Sequence, residues 1–184
     1  MLIRRLRIVV LLLWMSNGLW ATEPSGVWLD VPFVKQSRNG CGAATISMVM
    51  QYWQRQQGRS EDPNAEAARI QRTLYSDAPQ GIRASAMETY FQRNGYRVFA
   101  FRGEWRDLEE HVKKGRPLIV AVKPGRALPL HYVVVAGFDP ERQLVLLNDP
   151  AERKLLTEER SRFEQEWNAA GDWTLLALPE ASSR

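Results

Sequence analysis

The sequence of 184 residues is poor in the residues that build disulfide frameworks and metal centres. It contains a single cysteine, Cys41, and two histidines, His111 and His131. A lone cysteine cannot form an internal disulfide, and no cluster of Cys or His has the spacing of a zinc site. No glycine-rich loop resembles a phosphate cradle. These absences predict a protein without a metal or other cofactor, and they direct attention to the chemistry of one thiol.

Blocks of like charge and internal repeats are also missing, which excludes collagen, repeat arrays and charged tails. The remaining composition, with 45% hydrophobic, 25% charged and 10% aromatic residues, is typical of one globular domain. The five tryptophans beyond residue 21 are spread along the chain. This spread favours packing roles over a stacking platform for bases or sugars.

Long hydrophobic runs are absent, and the first 21 residues have the pattern of a secretory signal peptide. Three arginines precede an apolar run of eight residues, 8–15, and small or polar residues lead to Ala21. Such a run is too short to span a bilayer comfortably. We expect cleavage after Ala21 and a mature domain of residues 22–184 in the periplasm or outside the cell. The protein would contact the membrane only if the signal stays uncleaved as an anchor.

The formal charge of +4 arises largely in this N-terminal segment. Without residues 1–21, 22 basic residues face 21 acidic ones. A nearly neutral chain lacks the excess positive charge that nucleic-acid binding needs. No nucleic-acid partner is therefore expected.

Apolar periodicity and turn-forming residues predict helices mainly in the first half of the chain and antiparallel strands in the second. The expected helices are 41–57, 62–75, 84–93, 105–114 and 158–168. The expected strands are 27–34, 96–101, 117–122, 131–138, 143–147 and 173–178. Because a hairpin-sized turn joins the strands at 131 and 143, a doubly wound sheet is excluded. The prediction is an α+β domain in two lobes.

Cys41 follows a polar loop, residues 35–40, and lies in the first turn of a predicted helix. The positive end of a helix stabilises a thiolate, which is the reactive form of cysteine. Gly42 would let a substrate backbone approach closely. The alternative is a buried cysteine that acts as a small hydrophobic residue.

A nucleophilic thiol needs a histidine to hold and deliver a proton. His111 lies in the charged segment 108–114, which is typical of a solvated helix face. His131 opens a strongly apolar strand and is either a core histidine or a functional one. A functional histidine also needs an acceptor that fixes its tautomer.

Asp149, in the sequence Asn148-Asp149-Pro150 at the end of the next strand, is the candidate acceptor across the hairpin from His131. It could also be an ordinary turn residue at a strand end, and Asp139 lies eight residues along the strand of His131. Gln36, five residues before Cys41, could donate its side-chain amide to an oxyanion, beside the Cys41 N–H. Its alternative is a plain loop residue.

Four segments resemble the papain-like cysteine peptidases and, within them, the C39 peptidase family. These segments are 31–44, 115–120, 131–139 and 145–150. The resemblance extends from about residue 30 to residue 178. Segments 163–167 and 173–179 are also similar to an exported Gram-negative subgroup without transporter domains.

The resemblance implies a papain-like fold, with a helical N-terminal lobe that carries the nucleophile and a C-terminal lobe built on an antiparallel β-sheet. It implies that Cys41 is the nucleophile, His131 the general base and acid, Asp149 the residue that orients His131, and Gln36 the oxyanion-hole donor. Two departures concern the loop before Cys41. Gly40 stands where many relatives have Asp, and Gln36 lies five instead of six residues ahead, so the loop must be tighter.

Family members attached to export transporters cut leader peptides after a Gly-Gly pair. We therefore expect an exported cysteine peptidase that acts on a peptide or protein substrate in the cell envelope through a thioester on Cys41. Cleavage would follow small residues such as Gly-Gly. Two alternatives are an amidase or acyltransferase on the same fold and a catalytically inactive peptide-binding module.

Overall fold

The structure is a computed structural model that describes residues 26–78, 80–125 and 128–180. The expected signal peptide, residues 1–21, lies outside the described residues. Among the helices that are described, none has the length and apolar character needed to cross a membrane.

The described residues form five helices and seven strands. The helices are α1 (Cys41–Gln56), α2 (Pro63–Leu74), α3 (Ala84–Arg93), α4 (Trp105–Lys113) and α5 (Arg160–Asn168). The strands are β1 (Val27–Trp28), β2 (Tyr96–Arg102), β3 (Leu118–Val122), β4 (His131–Asp139), β5 (Leu144–Asn148), β6 (Leu156–Glu159) and β7 (Trp173–Pro179).

Most helix boundaries lie within one or two residues of their predicted positions, for identifiable reasons. The Asp62 side chain accepts a hydrogen bond from the Asn64 N–H at 2.9 Å and caps the start of α2. Gly58 and Gly95 adopt positive φ angles of 70° and 81° just beyond α1 and α3. Glycine tolerates this conformation, which ends a helix.

Two predicted elements differ from the structure. The extended segment 27–34 forms a strand only at Val27–Trp28, which pairs with β4. The predicted helix from 158 begins later, at Arg160, because Glu158 pairs with Val145 of β5 and belongs to β6. Cross-strand pairing overrides the helix preference of these glutamates, as tertiary context does in short strands.

The strands form one antiparallel sheet with the order β2-β7-β3-β4-β5-β6, and β1 pairs with β4. Side chains of β3 alternate between two cores. Ile119 and Ala121 pack with α1, α2 and α3, whereas Leu118, Val120 and Val122 pack with α4 and α5. Helices therefore cover both faces of the sheet, and β2, which follows α3 in the chain, forms one edge of it. The predicted α+β class with an antiparallel sheet is confirmed.

The tryptophans do not all have the predicted packing role. Trp167 is 2% exposed in the core against α4, but Trp28 is 56% exposed. A Cβ at Gly137 of β4 would lie 2.8 Å from the Trp28 Cβ, so the two strands approach closely there. The backbone of Trp28 is thus part of the sheet while its indole faces solvent.

Candidate active site

Cys41 is the first residue of α1. The preceding Gly40 is the N-cap and provides no side-chain hydrogen bond, and the first turn contains no acidic residue. The N–H groups of this turn are therefore free of a capping side chain, and the positive end of the helix dipole acts on the thiol. Cys41 itself is partly buried.

The loop before Cys41 contains a tight turn that accounts for Gly40. The Gly40 N–H donates to the Ser37 carbonyl at 3.0 Å, and Asn39 has a φ of 55°. A Cβ at Gly40 would lie 2.7 Å from Ser37 Oγ and 3.0 Å from the Ser37 carbonyl oxygen. Any side chain at position 40 would therefore require Ser37 to move.

Gly42 has a packing reason in the structure, and the predicted approach of a substrate backbone stays a prediction. A Cβ at Gly42 would lie 2.9 Å from the Cβ of Ile82, a residue that is 5% exposed and lines the cleft at Cys41. The sequence contained no sign of this contact, because Ile82 lies in a loop between two helices. The contact between positions 42 and 82 exists only in the folded chain.

His131 begins β4 and Asp149 directly follows β5. Since β4 and β5 are antiparallel neighbours, the start of β4 and the end of β5 lie side by side at the same end of the strands. His131 Nε2 and Asp149 Oδ1 are 2.7 Å apart. The same carboxylate oxygen accepts the Ala151 N–H at 2.8 Å, which helps to hold it in place.

Asn148, the neighbour of Asp149, and Asp139, the other candidate acceptor in the sequence, have different partners. Asn148 is fully buried; its amide donates to the Val31 carbonyl at 3.1 Å and accepts from the Leu155 N–H at 3.0 Å. Asp139 accepts two backbone N–H groups of the following turn, both at 3.1 Å. Asn148 therefore joins the loop before α1 to the sheet, and Asp139 stabilises a hairpin.

Charges in the site favour an ionised thiol beside a protonated imidazole. Burial raises the pKa of Cys41, but interactions with His131 and with the backbone N–H groups of Tyr132 and Gly42 outweigh it, so this pKa lies below its ordinary value. Burial opposes protonation of His131, yet Asp149 and Cys41 together raise its pKa to about 9. Burial also raises the pKa of Asp149, but the hydrogen bond and charge of His131 outweigh burial, so this pKa lies below its ordinary value.

The two ring nitrogens of His131 have different tasks. Nε2 is engaged by Asp149, so Nδ1 is the nitrogen left for the thiol. Sequence analysis did not identify the Tyr132 N–H, which acts on the sulfur from β4. No side-chain pattern could have shown it, because every residue except proline carries the same backbone donor.

His111 differs from the solvated residue that its charged neighbours predicted. It is partly buried on α4, its ring centroid lies 6.4 Å from that of Phe101, and its Nδ1 is buried with no hydrogen-bond partner in the described part of the chain. Burial lowers its pKa. Since α4 packs on the face of the sheet opposite α1, His111 belongs to a different part of the fold from Cys41.

Gln36 shares a cleft of about 540 Å³ with Cys41 and His131. Its backbone N–H donates to the Pro150 carbonyl at 2.9 Å, which ties the loop before α1 to the residue after Asp149. Its side-chain oxygen is buried with no hydrogen-bond partner among the described residues. The structure therefore brings all four predicted residues to one region, while their catalytic roles remain predictions.

No set of three or more His, Cys, Asp or Glu side chains within the described ranges could hold a metal ion. The chemistry available in the cleft is that of a polarised thiol, an imidazole that can carry a proton, and hydrogen-bond donors at a helix N-terminus. This combination suits nucleophilic attack on a carbonyl carbon and proton delivery to a leaving group.

Solved structures share this fold at low sequence identity. A protein described as a C39-like peptidase from Bacillus anthracis is 18% identical, with a TM-score of 0.61 over 85% of this chain and 99% of its own. The peptidase domain of Streptococcus ComA, a bi-functional ABC transporter involved in a quorum sensing pathway, is 22% identical, with a TM-score of 0.59 over 80% and 97%. A double glycine motif protease from an AMS/PCAT transporter, in complex with the leader peptide, is 21% identical, with a TM-score of 0.62 over 83% and 94%.

At such low identity the structural similarity establishes the fold alone, and it confirms the papain-like C39 architecture. A comparison with curated proteins found no match. The family model described as the Peptidase_C39 like family matches residues 28–174, which include α1 and most of the sheet. The family and the fold together indicate cysteine peptidase activity. The chain belongs to the Peptidase_C39 like family.

Proposed function

We propose that the protein is an exported cysteine peptidase that hydrolyses peptide bonds through a thioester acyl-enzyme on Cys41. The observation that supports this most is the 2.7 Å hydrogen bond between His131 and Asp149. It occupies Nε2 and leaves Nδ1 for the thiol at the start of α1. A histidine oriented by a carboxylate beside a thiol is the arrangement that activates a cysteine nucleophile.

In the first half of the proposed reaction, the Cys41 thiolate attacks the carbonyl carbon of the substrate. A C–S bond forms, and the carbonyl oxygen becomes an oxyanion. When this intermediate collapses, the C–N bond breaks and the His131 imidazolium gives its proton to the departing amine. The products are a thioester on Cys41, a free amine and a neutral imidazole.

In the second half, neutral His131 takes a proton from water, and the hydroxide attacks the thioester. The C–S bond breaks, the acid product leaves, and the thiolate–imidazolium pair returns. Asp149 keeps the ring in position and favours its protonated form. The Cys41 N–H and the Gln36 side-chain amide would donate to the oxyanion in both halves; the support for Gln36 is its position in the cleft.

The proposal extends to cleavage after small residues such as a Gly-Gly pair. One structure with the same fold is named a double glycine motif protease and contains a leader peptide. In this chain, branched and aromatic side chains of Ile82, Leu130 and Tyr132 line the cleft with Cys41. Bulky walls favour a substrate whose own side chains at the scissile bond are small.

Export belongs to the same proposal, with residues 1–21 as the signal peptide and 22–184 as the C39-like peptidase domain. The basic start, short apolar run and terminal Ala21 support it. Sequencing the N-terminus of protein from the periplasm of a Gram-negative host should give Thr22. Recovery of the uncleaved chain in the membrane fraction would replace this proposal with an anchored form.

The rate of Cys41 alkylation by iodoacetamide, measured against pH, tests the proposed chemistry. Cys41 is the only cysteine, so the rate reports one thiol. We expect a thiolate that titrates well below the free value of ~8.5. The low pKa should disappear in His131→Ala and persist in the control His111→Gln. An ordinary pKa in all three proteins would overturn the peptidase proposal and leave a peptide-binding module.

A further inference from the structure

The cleft at Cys41 continues into a second groove. Asn39 and Gln80 line both cavities, so the two are contiguous. The second cavity has a volume of about 560 Å³. We call it the basic groove; its lining residues are Arg38, Asn39, Gln71, Arg72, Tyr75 and Gln80.

Positive charge on this surface is not matched by acidic side chains. Arg83 lines the cleft, and Arg38 and Arg72 line the basic groove. Within the described ranges, none of the three forms an ion pair, and no Asp or Glu lines either cavity. Arg83 donates to the Ala78 carbonyl at 2.6 Å, which fixes its guanidinium beside the cleft.

Each cavity also contains a side-chain amide with an unused acceptor. The oxygens of Gln36 in the cleft and Gln71 in the basic groove are buried and have no hydrogen-bond partner among the described residues. Buried polar atoms are nearly always paired. A peptide main chain carries N–H donors at every residue except proline, so we expect a bound peptide to supply these partners after the two amide side chains rotate toward it.

The sequence also has two basic residues, Lys123 and Arg126, a few positions before His131. Residues 123–125 line a separate groove with Arg162 and Glu166, where a carboxylate is present. Arg126 lies outside the described residues. The charges available to a substrate at Cys41 therefore come from the loop before α1, from α2 and from the loop before α3.

We propose that the basic groove binds a run of acidic residues in the peptide substrate, adjacent to the part that enters the cleft. Guanidinium groups bind carboxylates through two parallel hydrogen bonds, and the exposed ring of Tyr75 offers an apolar surface to the aliphatic part of a glutamate. The inference rests on the proposed function for what happens at Cys41, but binding itself requires no reaction.

Peptide binding to the full-length Cys41→Ala protein tests the groove without catalysis. The probes are rhodamine-labelled peptides with a Gly-Gly core and a run of Glu, Gln or Lys on its amino or its carboxyl side, measured by fluorescence anisotropy. An exposed ion pair changes affinity by roughly 1.5- to 5-fold. With several arginines we expect the Glu peptide of one polarity to bind about tenfold more tightly than its Gln counterpart, and the difference to shrink with added salt.

The double variant Arg38→Gln/Arg72→Gln should remove most of this preference. Arg93→Gln is the matched control, because Arg72 and Arg93 are both exposed residues in the last turn of a helix. Equal affinity for Glu and Gln peptides, or an equal loss in Arg93→Gln, would overturn the inference. Tighter binding of a single-stranded oligonucleotide by the same arginines would also overturn it, since the groove would then be a general polyanion site.

The two proposals fail in different ways. If Cys41 has an ordinary pKa in the alkylation assay but the Glu peptide still binds through Arg38 and Arg72, the peptidase proposal falls and the acidic ligand stands. If the thiol is activated and the peptides bind without regard to charge, the reaction stands and the inference about the basic groove is wrong.

Discussion

Replacement of Asp149 by Asn is the most direct test of the charge arrangement at Cys41. Asparagine keeps a side-chain oxygen that can accept from Ala151 and from His131, but it removes a negative charge 2.7 Å from the imidazole. The side chains of His131 and Asp149 are 17% and 14% exposed. Solvent therefore screens this pair less than it would a pair on the surface.

The size of the effect follows from the pKa of His131, which rises from 6.5 to about 9 in the folded protein. At about 1.4 kcal/mol for each tenfold change, this corresponds to about 3 kcal/mol in favour of the imidazolium. This is a net value, because burial opposes it, so Asp149 and the Cys41 thiolate together supply more than about 3 kcal/mol. If each supplies about half, Asp149→Asn lowers the pKa of His131 by at least about 1 and raises that of Cys41.

NMR titration of the imidazole signals measures the first change, and the pH dependence of Cys41 alkylation measures the second. The protein has two histidines, so His111 is an internal reference. Asp139→Asn is the matched control, because Asp139 also accepts backbone N–H groups in a turn but does not contact His131. A fall of less than about 0.3 in the pKa of His131, or an equal fall in Asp139→Asn, would refute the reasoning.

Three further predictions concern stability. Gly42→Ala should lower the free energy of unfolding by about 1–3 kcal/mol, since its Cβ would lie 2.9 Å from that of Ile82. Gly81→Ala is the control and should be close to neutral, because the nearest atom to its Cβ would be 3.8 Å away. Urea denaturation of both variants checks this contrast. Asn148→Ala leaves the buried Val31 carbonyl and the partly buried Leu155 N–H without their partner and should cost about 2–4 kcal/mol. A loss below about 0.5 kcal/mol by the same assay would contradict it. Folding lowers the pKa of Asp149 from 3.8, so the ionised carboxylate stabilises the folded protein above that pH, and this stabilisation is lost as the pH falls through the lower folded pKa. The difference in free energy of unfolding between wild type and Asp149→Asn should therefore shrink in acid. A difference that stays constant would argue against the ion pair.

The sequence singled out residues that lie together in the structure because several local signals coincide. A lone cysteine after a polar loop, a histidine that opens an apolar strand and an Asp-Pro that ends the next strand each have a bland explanation alone. Helix ends were predicted well at Gly58 and Gly95, where a positive φ requires glycine. The prediction was less successful at β6, because four residues that contain two glutamates carry too weak a strand pattern.

Local patterns also failed to predict the solvent exposure of the His111 and Trp28 side chains. Charged neighbours suggested a solvated His111, yet α4 turns that side chain against Phe101. Trp28 is apolar and was expected to pack in the core, but β1 pairs with β4 in the sheet and leaves the indole exposed. In both cases the orientation of a whole element against the sheet decides the exposure of one residue.

By itself, the sequence determined the kinds of elements, the approximate ends of the helices and the residue types available for thiol chemistry, because these depend on neighbours within one or two turns. The sequence offered both Asp149 and Asp139 as acceptors for His131, and the tertiary structure decided between them, with Asp149 hydrogen-bonded to His131 and Asp139 bonded to its own turn. The tertiary structure also decided that Ile82 fills the space above Gly42 and that Arg38 and Arg72 share a groove. These contacts depend on strand pairing and on the packing of distant segments, for which a local pattern carries no signal.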